Sequence, residues 1–183
     1  MARFMENHDE PRAAATFAPG MHEAAAIITF LSTGMRFFHQ GQFEGRKNRI
    51  SPHLVRAPKE PADETLNQFY KSLLGVLRQQ AVREGQWHLL DCVPAWDGNG
   101  TWDSFLIFAW QGSDDDRPLV AVNYAATKSQ CYVPLLFPDL AGRMVRLKDL
   151  MGSGCYERDG NDLLSRGLYL DVPTWGYHVF ELA

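Results

Sequence analysis

The chain has 183 residues, of which 45% are hydrophobic and 22% charged, and its formal net charge is −4. That length suffices for one large domain or two small ones with a buried core. The lack of a basic excess argues against binding to nucleic acid or to an anionic membrane surface, and no apolar run approaches the roughly 18 residues that span a bilayer.

The first element is a short apolar segment, Ala2 to Met5, which predicts the end of a strand. It runs directly into the polar heptapeptide Glu-Asn-His-Asp-Glu-Pro-Arg at residues 6–12. Asn7, His8 and Asp9 thus place an amide, an imidazole and a carboxylate at the exit of a strand, where barrel enzymes bind their ligands. The alternative is an Asx-type turn or a helix cap made by Asn7 and Asp9, with His8 merely exposed.

A helix, a strand and a long loop follow. Residues 21–33 are apolar on nearly all sides and predict a buried helix, with Gly34 placed as its C-terminal cap. Residues 35–39 predict a short strand and residues 41–45 the loop at its end. Residues 46–61 are polar and interrupted by prolines, which predicts a long loop of the kind that often carries function.

The clearest periodicity predicts a helix over residues 64–84, with Asp63 as its N-cap. Its apolar stripe consists of Leu66, Phe69, Tyr70, Leu73, Leu74 and Leu77. The order strand, helix, strand, helix predicts two βα units with a parallel pair of strands.

From Gln86 onward the pattern changes to period two with frequent turns, and we predict an antiparallel β-sandwich. The predicted strands cover residues 104–111, 118–124, 131–136, 143–147, 167–172 and 177–182. The first two form a hairpin whose loop contains the acidic run 114–116. The predicted fold is therefore α/β followed by all-β, with one domain at 1–85 and a second at 86–183.

This order of motifs resembles the C-terminal portion of the α-amylase superfamily, glycoside hydrolase family 13. Phe4 to Asp9 looks like the family's fourth conserved region, at the end of the seventh strand of a (β/α)8 barrel. Gly34 to Gly41 looks like the last conserved stretch, on the eighth strand, although Arg36 replaces the customary proline. In the family an acidic residue normally stands two positions after the second glycine of this stretch. Here that glycine is Gly41, Phe43 occupies the expected position, and the acidic residue is displaced to Glu44. Residues 1–85 would then be the last two βα units of the barrel, and 86–183 the family's domain C.

The resemblance implies an α-glucan or maltooligosaccharide substrate, hydrolysed or transferred by a retaining mechanism. Asp9 matches the third carboxylate of the family, which stabilises the transition state, and His8 matches a histidine that donates to sugar hydroxyls. Asn7 is expected to orient these neighbours. Gln42 and Glu44 are expected either to line the sugar cleft or to stabilise their own loop. No metal and no cofactor are predicted.

The family's nucleophile and its acid/base belong to the fourth and fifth barrel strands, which this sequence does not contain. We therefore expect the chain alone to be inactive and its partner to be the missing N-terminal barrel portion. The alternative function is a non-catalytic β-sandwich that binds carbohydrate or braces another subunit. In that case Trp96 and Trp102, in a polar loop, would form a platform on which sugar rings stack. The alternative is that these two side chains cover the interface between the barrel and the β domain.

The roles of three further side chains, Arg12, Arg36 and His39, are open from sequence. Arg12 is expected to form a structural salt bridge with Glu6 or Glu10. Arg36 points either into the barrel or toward the helices, depending on the alternation of its strand. His39 is expected at the core or the rim.

The three cysteines Cys92, Cys131 and Cys155 are expected to be free thiols, because neither their number nor their spacing suits a disulfide framework or a metal site. The N-terminus lacks the charged-then-apolar pattern of a signal peptide, which favours a cytoplasmic location if Met1 is the native start.

Overall fold

The computed structural model of the chain describes residues 1–53, 56–112 and 116–183. Two short strands, β1 (Ala2–Arg3) and β2 (Met35–Arg36), pair in parallel, with Ala2 opposite Met35 and Arg3 opposite Arg36. The helices α1 (Ala13–Thr16) and α2 (Met21–Leu31) connect them. The predicted parallel pair is therefore confirmed, and β2 is shorter than the expected strand over 35–39.

Helix α2 buries most of its surface, as its all-round apolar sequence predicts. It ends at Leu31 with Ser32 as the C-cap, so the prediction that Gly34 caps this helix was wrong. Gly34 has φ of +126°, and a Cβ there would lie 2.7 Å from the carbonyl oxygen of Met1. This glycine therefore allows β2 to approach β1 closely.

Three carbonyl groups in the last turn of α2 accept hydrogen bonds from side chains that lie after the helix in the chain. Arg36 Nε donates to the carbonyl of Phe30 at 2.6 Å, and Trp110 Nε1 donates to that of Leu31 at 2.7 Å. Ser32 Oγ donates to the carbonyl of Ile28 at 2.6 Å. The last turn of a helix leaves such acceptors without intrahelical partners, and here three of them are satisfied.

The predicted long helix over 64–84 is two helices, α3 (Glu64–Val76) and α4 (Gln80–Glu84). Asp63 caps α3 as expected, because its carboxylate accepts from the backbone N–H of Leu66 at 3.0 Å. The chain turns at residues 77–79 before α4 begins. The prediction of one continuous helix was wrong, since α4 instead packs against the strand Phe105–Gln111 of the following sheet.

The remaining chain forms two antiparallel sheets. Their strands are β3 (Gln86–Leu90), β4 (Phe105–Gln111), β5 (Pro118–Asn123), β6 (Ser129–Val133), β7 (Met144–Asp149), β8 (Cys155–Asp159), β9 (Leu168–Val172) and β10 (Tyr177–Leu182). The larger sheet has six strands in the order β3-β4-β5-β10-β7-β8, and the smaller pairs β6 with β9. A short helix, α5 (Gly160–Ser165), joins β8 to β9.

The six predicted strand segments are found, whereas β3 and β8 were not predicted. The predicted hairpin is the antiparallel pair β4–β5. Residues 113–115 of its loop, which include most of the acidic run, lie outside the described residues.

Two hydrophobic cores lie on opposite faces of the six-stranded sheet. On β4, Ile107 faces the core shared with the small sheet, whereas Phe108 and Trp110 face the core shared with the helices. Strand β5 is buried along its whole length because both of its faces are covered. Its sequence, Pro-Leu-Val-Ala-Val-Asn, is accordingly a continuous apolar run rather than an alternating one.

Candidate functional site

The exits of the two parallel strands meet at one rim. The heptapeptide at residues 6–12 follows β1, and the loop at 37–45 follows β2, so both leave the strand pair on the same side. Arg12 joins them, since Nη2 donates to the carbonyl of Gln40 at 2.9 Å and Nε to that of Arg46 at 3.3 Å. Gly41, with φ of +87°, leaves the space that the Arg12 guanidinium occupies. The motif and the loop are thus one structural unit.

A buried ion pair lies beneath this rim. Arg12 Nη1 lies 2.9 Å from Glu6 Oε1, with side chains only 4% and 1% exposed. The other carboxylate oxygen of Glu6 accepts from the backbone N–H of Ala13, the first residue of α1, at 2.7 Å. Burial raises the pKa of Glu6, against the opposing effects of the Ala13 N–H and the Arg12 charge. The expected structural salt bridge of Arg12 is confirmed, with Glu6 as the partner.

Asn7 forms the turn that presents the motif. Its Oδ1 accepts from the backbone N–H groups of Asp9 at 2.8 Å and of Glu10 at 2.9 Å, which is an Asx-type turn. His8 and Asp9 project from this turn side by side, with His8 Nε2 3.2 Å from Asp9 Oδ2. Their side chains are 63% and 72% exposed. The turn foreseen as the alternative is present, and it also holds an imidazole and a carboxylate outward as a pair.

His39 belongs to the same rim. It is half-buried just beyond β2, and partial burial together with the positive charges of Arg12 and His8 lowers its pKa. The long loop reaches this region as well, because Arg49 Nε donates to the carbonyl of His8 at 3.3 Å. The rim therefore gathers two imidazoles and a carboxylate from separate parts of the chain.

Gln42 lies below the rim, at 1% exposure, within a network that sequence reasoning missed. Its Nε2 donates to the hydroxyl of Tyr70 at 2.8 Å, and its Oε1 accepts from the backbone N–H of His39 at 3.2 Å. The Tyr70 hydroxyl also lies 2.8 Å from His22 Nε2. A tyrosine within the apolar stripe of α3 was the available signal, because a buried hydroxyl needs partners.

Glu44 is half-buried, and its backbone carbonyl accepts from the N–H of Asp63 at 3.0 Å, which ties the loop to the N-cap of α3. The structure thus shows a loop-stabilising position for Gln42 and for the backbone of Glu44. Their predicted contact with substrate stays a prediction.

Arg36 faces the helices. Besides the bond to Phe30 described above, its Nη2 donates to the carbonyl of Val82 in α4 at 3.2 Å. Its guanidinium carbon lies 5.9 Å from the centre of the Trp110 ring on β4. Burial lowers the pKa of Arg36. Arg36 therefore links β2 to α2, α4 and β4.

The two tryptophans of the polar loop, Trp96 and Trp102, lie in different environments. Trp96 is 53% exposed, whereas Trp102 packs against the core between the two sheets. Trp175 and Tyr177 pack on the core under the helices. The three cysteines are free thiols, with Cys131 buried, Cys92 half-buried and Cys155 exposed.

The part of the chain that the structure describes holds neither a metal-binding cluster nor a membrane-spanning helix. Across residues 1–53, 56–112 and 116–183, no group of three or more His, Cys, Asp or Glu side chains is placed to hold a metal ion. Within the same ranges, no helix combines the length and the hydropathy needed to cross a bilayer.

Comparison with known proteins gives a likeness in structure without one in sequence. No protein-family model and no curated protein matches the chain. Solved structures of α-amylases do match it along nearly its whole length, which identifies the fold as that of the C-terminal region of α-amylases, mixed α/β with a substantial antiparallel sheet.

The maltogenic α-amylase AmyB from Thermotoga neapolitana superposes with a TM-score of 0.75 at 14% identity, over 98% of this chain and 40% of that one. An Anoxybacillus α-amylase gives 0.70 at 15% identity, over 100% and 38%. The α-amylase from Geobacillus thermoleovorans, complexed with acarbose, gives 0.71 at 18% identity, over 100% and 39%. The chain thus spans about two fifths of the length of these structures.

Proposed function

We propose that this chain is the C-terminal part of an α-amylase-like glycoside hydrolase that acts on α-glucans by a retaining mechanism. The observation that carries the proposal is the exposed pair of His8 and Asp9, 3.2 Å apart, at the joined exits of two parallel strands. The fold shared with α-amylases supports it, as does the acarbose bound to the Geobacillus enzyme.

In this proposal residues 1–85 supply the seventh and eighth βα units of a (β/α)8 barrel. Residues 86–183 form the antiparallel β-sandwich that follows the barrel. Two strands cannot close a barrel, so the nucleophile and the acid/base come from strands outside these 183 residues. Without them the chain has no hydrolytic activity of its own.

Asp9 is the transition-state-stabilising carboxylate. Its fixed negative charge favours the positive charge that develops on the sugar ring, and bonds to ring hydroxyls strengthen as the ring flattens. His8 donates to sugar hydroxyls beside it, and the Asx turn of Asn7 holds both in place. Gln42 and Glu44 shape the loop at the neighbouring strand exit and contribute to substrate binding.

The test is complementation. The coding region upstream of Met1 in the source DNA is read, its product is co-expressed with this chain, and release of reducing sugar from maltoheptaose is measured. We expect activity from the mixture and from neither part alone. Asp9→Asn should lower kcat by about 100-fold or more, a typical loss for a transition-state-stabilising group.

Glu10→Gln is the matched control, because Glu10 is an exposed carboxylate of the same turn. Its activity should equal that of the unmodified mixture. Equal activity of Asp9→Asn in an assembled mixture would overturn the assignment of Asp9.

A non-catalytic carbohydrate-binding or bracing β module is the second possible function, favoured by the exposure of Trp96. It predicts that maltoheptaose binding by the chain is lost in Trp96→Ala plus Trp102→Ala. Binding that survives both substitutions would contradict a platform at this loop.

A further inference from the structure

The two sheets of the β half differ in size, and this leaves a cleft. The small sheet has two strands and the large one six, so β6 and β9 cannot cover the whole facing surface. The uncovered part lies over β10, β7 and β8, beside β9. It forms a cleft of about 210 Å³ whose floor consists of Leu147, Phe180 and Leu170, at 1%, 4% and 4% exposure.

Aromatic rings border this cleft. Tyr156 on β8 is 41% exposed, and its ring meets that of Phe180 edge to face at 5.9 Å. Phe180 in turn stacks on His178, with centroids 4.9 Å apart and planes 12° from parallel. Tyr169 on β9 borders the other side and is 44% exposed. The rings of Tyr156 and Tyr169 thus offer apolar surface that remains accessible to solvent, whereas Phe180 belongs to the buried floor.

Polar groups of the cleft are fixed as well. His178 Nδ1 lies 2.8 Å from the buried carboxylate of Asp149, which leaves Nε2 as the remaining hydrogen-bonding atom of the ring. Asp171, opposite, accepts from Gln130 Nε2 at 3.0 Å and pairs with Lys128 Nζ at 2.8 Å. Strand β9 has no second partner strand among the described residues, so its outer backbone groups can bind a ligand.

The charges favour a neutral ligand. Asp171, the carboxylate that lines the cleft, pairs with Lys128, the buried Asp149 pairs with His178, and Arg158 lies over the ring of Tyr156 at 5.7 Å. No single sign of charge dominates. Packed aromatic faces beside fixed hydrogen-bonding groups suit a sugar ring, which has apolar C–H faces and a rim of hydroxyl groups.

The cleft continues along the surface. A second depression of about 160 Å³ shares Arg158 and Tyr169 with it and extends to Tyr132 and Arg166. The rings of Tyr132 and Tyr169 lie 5.3 Å apart, and Arg166 Nη2 donates to the Tyr132 hydroxyl at 3.1 Å. The first depression alone is smaller than a typical site for a drug-sized ligand, whereas the two together fit a linear chain of sugars.

We propose that this cleft, bordered by Tyr156, Tyr169 and His178, is a glucan-binding site separate from the His8–Asp9 motif. It takes a segment of a neutral α-linked oligosaccharide. The choice of an α-glucan rests on the function proposed above, whereas the cleft itself belongs to the β half. Such a site would hold a polymeric substrate while another part of it is cleaved.

The test is an NMR titration of the full chain with maltoheptaose. We expect the backbone signals of Leu147, Leu168 and Leu170 to shift. Tyr156→Ala and Tyr169→Ala should each raise Kd about tenfold, which corresponds to about 1.4 kcal/mol. Tyr156→Phe keeps the ring and should bind as the unmodified chain does, which separates stacking from a folding defect.

Tyr124→Ala and Leu136→Ala are the controls, because both side chains are exposed, at 48% and 64%, and neither lines the cleft. Both should retain the Kd of the unmodified chain. The proposal is overturned if maltoheptaose does not bind, if either control weakens binding as much as Tyr156→Ala does, or if inorganic phosphate shifts the same signals at lower concentration.

The outcome is independent of the complementation test. Cleft binding together with an inactive mixture would leave this site standing and reject the proposed catalytic role of the chain. An active mixture without cleft binding would support the proposed catalytic role and reject the cleft as a glucan-binding site.

Discussion

Arg12 and Glu6 form a 2.9 Å ion pair in which both side chains are almost fully removed from solvent. Removing one member of such a pair leaves an uncompensated buried charge and typically costs about 3 to 5 kcal/mol. We therefore expect Arg12→Ala to lower the free energy of unfolding by about that amount, measured by urea denaturation. The double variant Glu6→Gln plus Arg12→Met should be less destabilised than Arg12→Ala, and a larger loss in the double variant would contradict this account.

Arg36 predicts a second stability effect, because it bonds two helix carbonyls and lies over Trp110. Arg36→Ala should cost about 1 to 3 kcal/mol, since the bonds come from a charged donor. Arg36→Lys keeps the charge without the forked donors and should recover only part of the loss. An unchanged urea midpoint for Arg36→Ala would show that these bonds contribute nothing net.

Alanine substitutions at two glycines, Gly75 and Gly160, should change the stability of the chain in opposite directions. Gly75 lies within α3 with open space around its missing Cβ, so Gly75→Ala should stabilise the chain by about 0.5 to 1 kcal/mol. Gly160, at the start of α5, is buried, and a Cβ there would clash with the carbonyl oxygen of Leu140. Gly160→Ala should therefore destabilise by about 1 to 3 kcal/mol or more. Thermal unfolding of the two variants side by side tests the pair, and equal midpoints would contradict it.

The buried carboxylate of Asp149 should make the stability of the chain depend on pH. Burial works to raise its pKa, but bonds from His178 and from the N–H groups of Met151 and Val179 outweigh burial, so the pKa lies below its ordinary value of 3.8. Its stabilising contribution is therefore complete above pH 3.8 and is lost as the pH falls through the lowered pKa. Asp149→Asn should be less stable than the unmodified chain at neutral pH, and the difference should shrink below pH 3.8.

Asp103→Asn, at an exposed carboxylate of the same half, is the control for this pH series and should follow the unmodified curve. A difference between Asp149→Asn and the unmodified chain that stays constant down to strong acid would refute the linkage.

The strand pair β1–β2 predicts exposed apolar surface. Phe4, Met35 and Phe37 are 44%, 68% and 42% exposed around it. Contiguous apolar surface of this kind marks an interaction site, so the isolated chain should bind a hydrophobic dye or self-associate. Phe4→Ser plus Phe37→Ser should reduce dye fluorescence, whereas Leu136→Ser, at an exposed leucine outside this strand pair (64%), should have little effect. A monodisperse monomer without dye binding would count against an exposed interface here.

The sequence predicted best the elements that bury one regular face. The stripe on α3 is an example, because Leu66, Phe69, Tyr70 and Leu73 all become buried. Strand β8 could not be found in this way, since all five of its residues are exposed and it exists through pairing with β7. The break between α3 and α4 was missed for a similar reason, because α4 is placed by a strand that follows it in the chain.

The candidate site was predictable in its exposed part and hidden in its supports. Asn7, His8 and Asp9 are consecutive, so their shared position at a strand exit could be read directly. The bond from Gln42 to Tyr70 and the contact of Tyr70 with His22 join residues 28 and 48 positions apart. Such contacts depend on how the helices pack, which no local pattern specifies.

The bond from Trp110 to the end of α2 also has a consequence for biosynthesis. The ribosome completes α2 79 residues before it adds the tryptophan that binds its last carbonyl. At ordinary rates of translation this is a delay of seconds, during which the helix end and its apolar surface remain in water. The nascent helical half thus depends on the later β half to finish folding, and a chain stalled before β4 would be a natural client for chaperones.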